Sequence, residues 1–151
     1  MTNKLDILAF GAHPDDCEIG MAGTLAKYAE KGYRVGICNL TKAELSSNGT
    51  VELRQKESEK AATILGMTVR LQLDLPDRGL RTAREEELQE IVTVIREYQP
   101  TLVFFPDHVD RHPDHGHCGS LVKEAIFNAG IRRYQSKHAA HRVRESYRFF
   151  Y

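Results

Sequence analysis

Short continuous apolar runs alternate along the chain with longer segments in which apolar residues recur at helical spacing. The runs are too short for helices and lack a period of two, which favours strands covered on both faces of a parallel sheet. They lie at residues 5–12, 33–40, 68–73 and 101–105. The intervening segments, which are predicted to be helices, lie at residues 18–32, 51–66, 82–98 and 116–130. Residues 146–151 are predicted to begin a fifth strand.

Capping residues mark the ends of these helices. Gly32 and Gly66 follow the first two helices, and glycine readily adopts the left-handed conformation that commonly ends a helix. A capping box of Thr82 and Glu85 is predicted to begin the third helix, and Pro100 marks its end. The residues expected to pack are Met21, Leu25 and Tyr28 in the first helix, Leu53, Ala61, Ile64 and Leu65 in the second, and Leu88, Ile91, Val92 and Ile95 in the third.

Strands that alternate with helices of this length predict an α/β fold. We expect a Rossmann-like, doubly wound and mainly parallel sheet in a three-layer α/β/α arrangement, with residues 1–151 in a single domain. In the common 3-2-1-4 order, the first and fourth strands are neighbours, and ligands bind beyond the strand ends where the order reverses. The segments that follow these two strands are therefore expected to face one crevice.

Charge and composition narrow the class of protein. The 21 basic and 21 acidic side chains cancel, which leaves no net field to attract nucleic acid or an anionic membrane. No apolar stretch approaches a membrane span and no signal peptide is recognisable, so a cytoplasmic protein is expected. Cys17, Cys38 and Cys118 are odd in number and far apart, so we expect them to be buried packing residues.

The segments after the first and fourth strands carry similar chemistry, AHPDD at 12–16 and RHPDH at 111–115. His13 and Asp16 lie three apart at a strand-to-helix turn that Pro14 stiffens, so their side chains can converge on one point. The second segment offers His112, Asp114, His115 and His117. Two histidines and one carboxylate form a catalytic type of zinc shell, which leaves a position open for water. Asp15 could then take the proton of that water, and a further histidine could stabilise an oxyanion or protonate a leaving amine.

Other interpretations of these segments remain open. Either segment alone could be an ordinary helix N-terminus, in which a carboxylate caps the helix and favours its dipole. The pairing after two neighbouring strands favours a metal site over two unrelated caps. The second and third glycines of the dinucleotide-binding motif G-x-G-x-x-G are missing from GAHPDD. A two-metal phosphoesterase and a non-catalytic zinc-binding protein stay as alternatives to a hydrolase with one zinc.

AHPDD and RHPDH together resemble the signature of the LmbE-like, or PIG-L, family of zinc-dependent N-acetylglucosaminyl deacetylases. Three further stretches, AELSSNGTVELRQKE, LPDRGL and VKEAIFNAGIRRY, are similar to the bacillithiol-pathway branch of N-acetylglucosaminyl malate deacetylases. The resemblance implies the LmbE-like fold and hydrolysis of the acetyl group of N-acetylglucosaminyl L-malate. It also implies one Zn²⁺ per chain, with Fe²⁺ as an alternative, and a homo-oligomer such as a trimer or hexamer. Since family members are usually longer, residues 1–151 are expected to be roughly the N-terminal two-thirds of the usual domain.

The resemblance also assigns roles to individual residues. The implied metal ligands are His13, Asp16 and His115. The implied catalytic residues are Asp15 as general base, His112 as the group that assists the oxyanion or the leaving amine, and Asp114 as the carboxylate that orients His112. Arg54 is implied beside the substrate, and Arg78 and Arg111 are candidates for binding malyl carboxylates, with surface ion pairs as the alternative.

Overall fold

The computed structural model describes residues 3–150. In chain order, the elements are β1 (Ile7–Gly11), α1 (Asp16–Glu30), β2 (Val35–Thr41), α2 (Val51–Leu65), β3 (Val69–Leu75), α3 (Arg84–Tyr98), β4 (Leu102–Pro106), α4 (Pro113–Ala129) and β5 (Glu145–Phe149). The predicted alternation of strands and helices is confirmed. One residue of the predicted fifth strand, Tyr151, lies outside the described residues.

The five strands form one parallel sheet in the order β3-β2-β1-β4-β5. The central strand β1 pairs Ile7 with Val35 of β2 on one side and with Leu102 of β4 on the other. The predicted neighbouring positions of the first and fourth strands are therefore confirmed. Since the strand order reverses between β1 and β4, the segments that follow these two strands meet at one edge of the sheet.

Helices cover both faces of this sheet. Leu8 of β1 lies in a core cluster with Ile91 of α3 and Val122 of α4, whereas its neighbour Ile7 lies in a second cluster with Leu25 of α1. Successive side chains of a strand point to opposite faces, so β1 contributes to both cores. This arrangement confirms the three-layer α/β/α architecture.

Helix α2 packs through only part of the predicted set of residues, of which Ala61 and Leu65 are half-buried. Leu53 and Ile64 are exposed, with 49% and 75% of their surface accessible, whereas Ser58 and Ala62 are buried. The prediction of packing through Leu53 and Ile64 was therefore wrong. Small side chains at 58 and 62 let the helix lie close to its neighbours, which favours the less apolar stripe as the contact face.

The start of α3 also differs from the prediction. The helix begins at Arg84, and its N-terminal residue Ala83 makes no side-chain cap. The carboxylate of Glu87 accepts hydrogen bonds from the backbone N–H groups of Arg81 and Ala83 instead. The predicted capping box of Thr82 and Glu85 was wrong, because a carboxylate further along the helix satisfies these donors.

The expected burial of the three cysteines is confirmed. Cys17, Cys38 and Cys118 are buried free thiols. Between residues 3 and 150, we find no helix whose length and apolar character would suit it to crossing a bilayer.

Candidate metal centre and active site

The two histidine-containing segments meet where their helices begin. Helices α1 and α4 start earlier than predicted, at Asp16 and Pro113, which places Asp16 and His115 in first turns that face each other across the strand ends. Ligand atoms of His13, Asp16 and His115 all lie within 4.8 Å of one another. The topology thus brings together three side chains that are distant in the sequence.

The spacing of these atoms suits a tetrahedral ion. Asp16 Oδ2 lies 3.5 Å from His13 Nδ1 and 3.4 Å from His115 Nε2. Two ligands on one tetrahedral zinc, with metal–ligand bonds of about 2.0–2.1 Å, are about 3.3 Å apart. Two imidazoles and one carboxylate are also the donor set of an open zinc site. The residues present therefore fit zinc.

Three further carboxylates lie against the ring nitrogens of His13 and His115 that do not face Asp16. His13 Nε2 lies 2.9 Å from Asp114 Oδ2 and 3.1 Å from Asp77 Oδ1. Asp110 Oδ1 lies 3.2 Å from His115 Nδ1. Metal-binding histidines commonly place their second nitrogen on a carboxylate, which fixes the ring and raises its basicity.

The charges of these groups suit a cation. Burial would lower the pKa of His13, but the hydrogen bond and charge of Asp16, with help from Asp114 and Asp77, raise it to about 9. Burial would raise the pKa of Asp16, but hydrogen bonds from His115 and His13 hold it well below its usual range. Burial would also lower the pKa of His115, but the hydrogen bond and charge of Asp16 raise it. Negative charge that keeps protons on two imidazoles also favours a divalent cation that replaces those protons.

Asp15 lines the same cavity as His13, Asp16 and His115. It is the N-cap of α1 and has a left-handed backbone with φ of 97°, which is uncommon for a residue with a side chain. Its side chain is 56% exposed, and its Oδ2 accepts a hydrogen bond of 3.3 Å from Arg54, which also donates to the carbonyl of Pro14 at 2.9 Å. Burial and the neighbouring charge of Asp16 raise the pKa of Asp15, against the opposing charge of Arg54. A carboxylate with a raised pKa at the edge of the cluster suits a general base.

His112 presents one ring nitrogen to the same space. Its Nδ1 accepts a hydrogen bond of 3.1 Å from the backbone N–H of Asp114, so the hydrogen of the neutral ring is on Nε2. The ring stacks on His115 with 4.7 Å between centroids. Burial and the charges of His13 and His115 lower the pKa of His112. The geometry and charge therefore favour a neutral hydrogen-bond donor.

The carboxylate of Asp114 has partners other than His112. It is completely buried, and it accepts hydrogen bonds from His13 Nε2, from the backbone N–H of Arg78 at 3.0 Å and from Arg78 Nη1 at 3.1 Å. Its contact with His112 is made by its backbone N–H. Asp114 thus orients both histidines, one through each part of the residue.

A cavity of about 380 Å³ opens above the cluster. Of the arginines expected to bind substrate, Arg54 and Arg78 line the cavity, whereas Arg111 is exposed and is not among the lining residues. The lining residues that sequence reasoning missed include Ile19, Leu45 and Asp77. Asp77 follows closely after β3, so its position at the carboxyl edge of the sheet was a usable signal.

A larger groove of about 990 Å³ lies along α4 and β5, away from this cluster. Its wall includes the exposed rings of Phe127, Tyr147 and Phe150. The groups of potential metal ligands found among residues 3–150 all contain His13 and therefore lie at the smaller cavity. The candidate metal site therefore lies at the smaller cavity and not in the groove.

Comparisons with known proteins identify the family and the fold. The family model described as PIG-L, GlcNAc-PI de-N-acetylase, matches residues 8–126. The chain is 38% identical over 135 residues to a diacetylchitobiose deacetylase of Thermococcus kodakarensis, with 83% of this chain and 50% of that protein covered. It is 30% identical over 137 residues to a probable N-acetyl-alpha-D-glucosaminyl L-malate deacetylase 2 of Bacillus subtilis, with 82% and 62% covered.

A solved structure is similar over nearly the whole chain. It is a conserved protein of Thermus thermophilus, with a TM-score of 0.92 and 37% sequence identity. The match covers 97% of this chain and 66% of that one. The chain therefore spans between half and two thirds of the length of these three proteins.

Proposed function

The chain belongs to the PIG-L, or LmbE-like, family, and from this membership and the site we propose that it is a metal-dependent hydrolase that removes the acetyl group from an N-acetylglucosaminyl substrate. The observation that carries the proposal is the convergence of His13, Asp16 and His115 at the spacing of a tetrahedral shell. An exposed carboxylate, Asp15, stands beside them with a raised pKa. Ligand shell and base together are the parts that metal-assisted amide hydrolysis requires.

In this proposal, His13, Asp16 and His115 hold one zinc ion, or another divalent ion such as Fe²⁺. When bound, the ion would supply Lewis-acid activation of a water molecule and of the acetyl carbonyl. Asp114 keeps the ring of His13 in place, and Asp110 lies against His115. These carboxylates leave one face of the cluster open to the cavity.

Asp15 moves the proton of the reaction. It accepts a proton from water as the water oxygen bonds to the acetyl carbon. The C–N bond then breaks, the proton passes to the amine nitrogen, and the products are acetate and a free amine. Arg54, at 3.3 Å, fixes the orientation of the carboxylate. The left-handed backbone at Asp15 directs its side chain towards the cavity, while the next carboxylate faces the ligands.

His112 stabilises the oxyanion that forms on the acetyl group. Because its Nδ1 accepts the backbone N–H of Asp114, its Nε2–H is the group available to donate. A positioned neutral donor needs no protonation before each turnover. The proton that the leaving amine receives is then the one that Asp15 took from water.

The substrate is proposed to be an N-acetylglucosaminyl conjugate, for which the L-malate conjugate of bacillithiol biosynthesis and diacetylchitobiose are the two candidates to compare. Arg54 and Arg78 line the cavity, but each already contacts a carboxylate, Asp15 and Asp114 respectively. A malyl group would bind Arg78, whose side chain is 48% exposed. Arg111 would take part only if its side chain reached over the rim.

The alternatives from the sequence receive less support. A two-metal phosphoesterase needs two ion sites bridged by shared ligands. The two groups of potential ligands among the described residues are His13, Asp16 and His115, and His13, His112 and Asp114. They share only one imidazole and no carboxylate. Each group also has three ligands, whereas structural zinc usually has four.

The test is to incubate purified protein and zinc with both candidates and with N-acetylglucosamine, and to measure free amine and bound zinc. Asp15→Asn is expected to keep its zinc and to lose turnover about 10²- to 10⁴-fold, since it removes a general base. Asp74→Asn is the matched control, because Asp74 is exposed at 80% and pairs with Lys42 outside the cavity. If the zinc-loaded protein released amine from none of the three compounds, the proposal would be contradicted. Near-normal turnover by Asp15→Asn would also contradict it.

A further inference from the structure

Two carboxylates converge on one ring nitrogen of His13, and one of them, Asp77, has no role assigned by the reaction above. We propose that Asp77 is a positioning residue of the metal centre, which together with Asp114 holds His13 so that Nδ1 faces the ion. The inference rests on the proposed function only in requiring a metal ion at His13, Asp16 and His115. It makes no assumption about the substrate.

The geometry determines which nitrogen of His13 is available. Nε2 lies 2.9 Å from Asp114 Oδ2 and 3.1 Å from Asp77 Oδ1. Ionised carboxylates only accept hydrogen bonds, so the hydrogen of the neutral ring must be on Nε2. Nδ1, which lies 3.5 Å from Asp16 Oδ2, then presents its lone pair to the other ligands. The carboxylates thus select the tautomer and aim the ring.

Hydrogen bonds fix the position of Asp77, so its carboxylate can orient the ring of His13. Its side chain is 7% exposed. Its Oδ2 accepts a hydrogen bond of 2.9 Å from the backbone N–H of Leu45, and its own N–H donates to both carboxylate oxygens of Glu44 at 3.1 Å. These contacts join the loop after β3 to the loop after β2. Asp77 therefore connects His13, which follows β1, to the ends of two further strands.

A different role for Asp77 makes a different prediction. Since Asp77 also lines the cavity, its carboxylate could instead bind a hydroxyl group of the substrate. If Asp77 binds the substrate, its replacement would raise KM and leave the affinity for zinc unchanged. A positioning role lowers the affinity for zinc in the absence of any substrate. Metal affinity therefore separates the two roles.

The experiment measures the zinc affinity of Asp77→Asn by competition with a chelator. An asparagine has one acceptor oxygen, which can serve Leu45 or His13 but not both. We expect a loss of about 10- to 100-fold, the usual effect of removing a partner of a metal-binding histidine. In the zinc-loaded protein, the NMR signal of the His13 Nε2–H proton should also shift.

Glu44→Gln is the matched control for the loss of charge. Its amide oxygen can still accept the N–H of Asp77, and it removes one negative charge from a side chain that does not contact His13. Its zinc affinity should stay close to that of the wild type. Urea unfolding of the metal-free variants checks that the fold is retained. If Asp77→Asn does not fold, Asp77→Glu, which displaces the carboxylate by one methylene, should show the reduced affinity instead.

The outcomes distinguish this inference from the proposed function. Wild-type zinc affinity and an unshifted Nε2–H signal in the Asp77 variant would overturn it. An equal loss of affinity in Glu44→Gln would also overturn it, because charge alone would then explain the effect. Absence of zinc binding by the wild type would instead remove the proposed function, on which the inference depends.

Discussion

Replacing Gly119 with alanine should disrupt the metal centre although Gly119 binds nothing. Gly119 lies in α4, where it packs against the end of β4. A Cβ atom at this position would lie 2.1 Å from the carbonyl oxygen of Pro106, a distance at which something must move. The obstacle is the backbone of a sheet strand, which cannot turn aside as a flexible side chain can. Either helix α4 or the sheet must therefore shift.

The size of the shift can be worked out from this contact. Carbon and oxygen atoms need more than about 3 Å, so α4 would have to move by about 1 Å or the sheet would have to deform by as much. His112 and His115 lie at the start of the same helix and would move with it. Zinc ligands tolerate about 0.2 Å. Overpacking of a core costs about 1–3 kcal/mol, of which the better helix propensity of alanine offsets up to about 1 kcal/mol.

The assays are urea unfolding of the metal-free protein and competition for zinc with a chelator. Gly119→Ala should unfold more easily and bind zinc much more weakly. Gly23→Ala is the control, because Gly23 is also in a helix but a Cβ there would meet nothing within 4 Å. It should gain about 0.5–1 kcal/mol and keep its zinc affinity. If Gly119→Ala were as stable as Gly23→Ala and bound zinc equally well, the close contact between α4 and β4 would not position the site.

Three further predictions concern single side chains. His115→Ala should lose bound zinc, as measured by elemental analysis, and full occupancy would show that His115 is not a ligand. Arg96 is buried and donates to four carbonyl oxygens, including that of Ala129 at 3.1 Å. Arg96→Leu should reduce the free energy of unfolding by about 3 kcal/mol, because each hydrogen bond from a charged group contributes about 1.5–3 kcal/mol and water replaces some of them. A loss well under 1 kcal/mol in urea unfolding would contradict this. In the metal-free protein, the pKa of His13 is raised from 6.5 to about 9, so its ion pairs contribute fully below pH 6.5 and lose their contribution as the pH rises through 9. The difference in unfolding free energy between wild type and His13→Gln should therefore shrink over that range, and a difference that grew with pH would have the wrong sign.

The fold was predictable because its signals are local and repeated. Apolar runs and helical periodicity along the chain identify every strand and helix, and the preference of parallel sheets for one strand order places β1 beside β4. His13 and His115 could be paired in advance because each follows one of these strands. The strand ends, rather than the residue types alone, therefore located the cluster.

What the sequence did not predict depends on contacts between distant segments. In α2, Leu53 and Ile64 offer a more apolar stripe than Ser58 and Ala62, but the shape of the neighbouring elements decides which stripe is buried. Asp77 contacts a residue 64 positions away, and no periodicity reports such a contact. Side-chain partners of this kind become visible only when the loops are placed in space.

The consecutive carboxylates Asp15 and Asp16 show how the backbone separates two chemical roles. Asp16 is buried against two imidazoles, which hold its pKa below its usual range and suit it to bind a cation. Asp15 is exposed at the cavity, and its partial burial and the charge of Asp16 raise its pKa, which suits it to accept a proton. Asp15 has a left-handed backbone and Asp16 begins the helix, so the two side chains leave the chain in different directions. The left-handed conformation costs of order 1–3 kcal/mol for a residue other than glycine. Glycine would remove that strain but also the carboxylate, so the strained residue is the one that the proposed reaction requires.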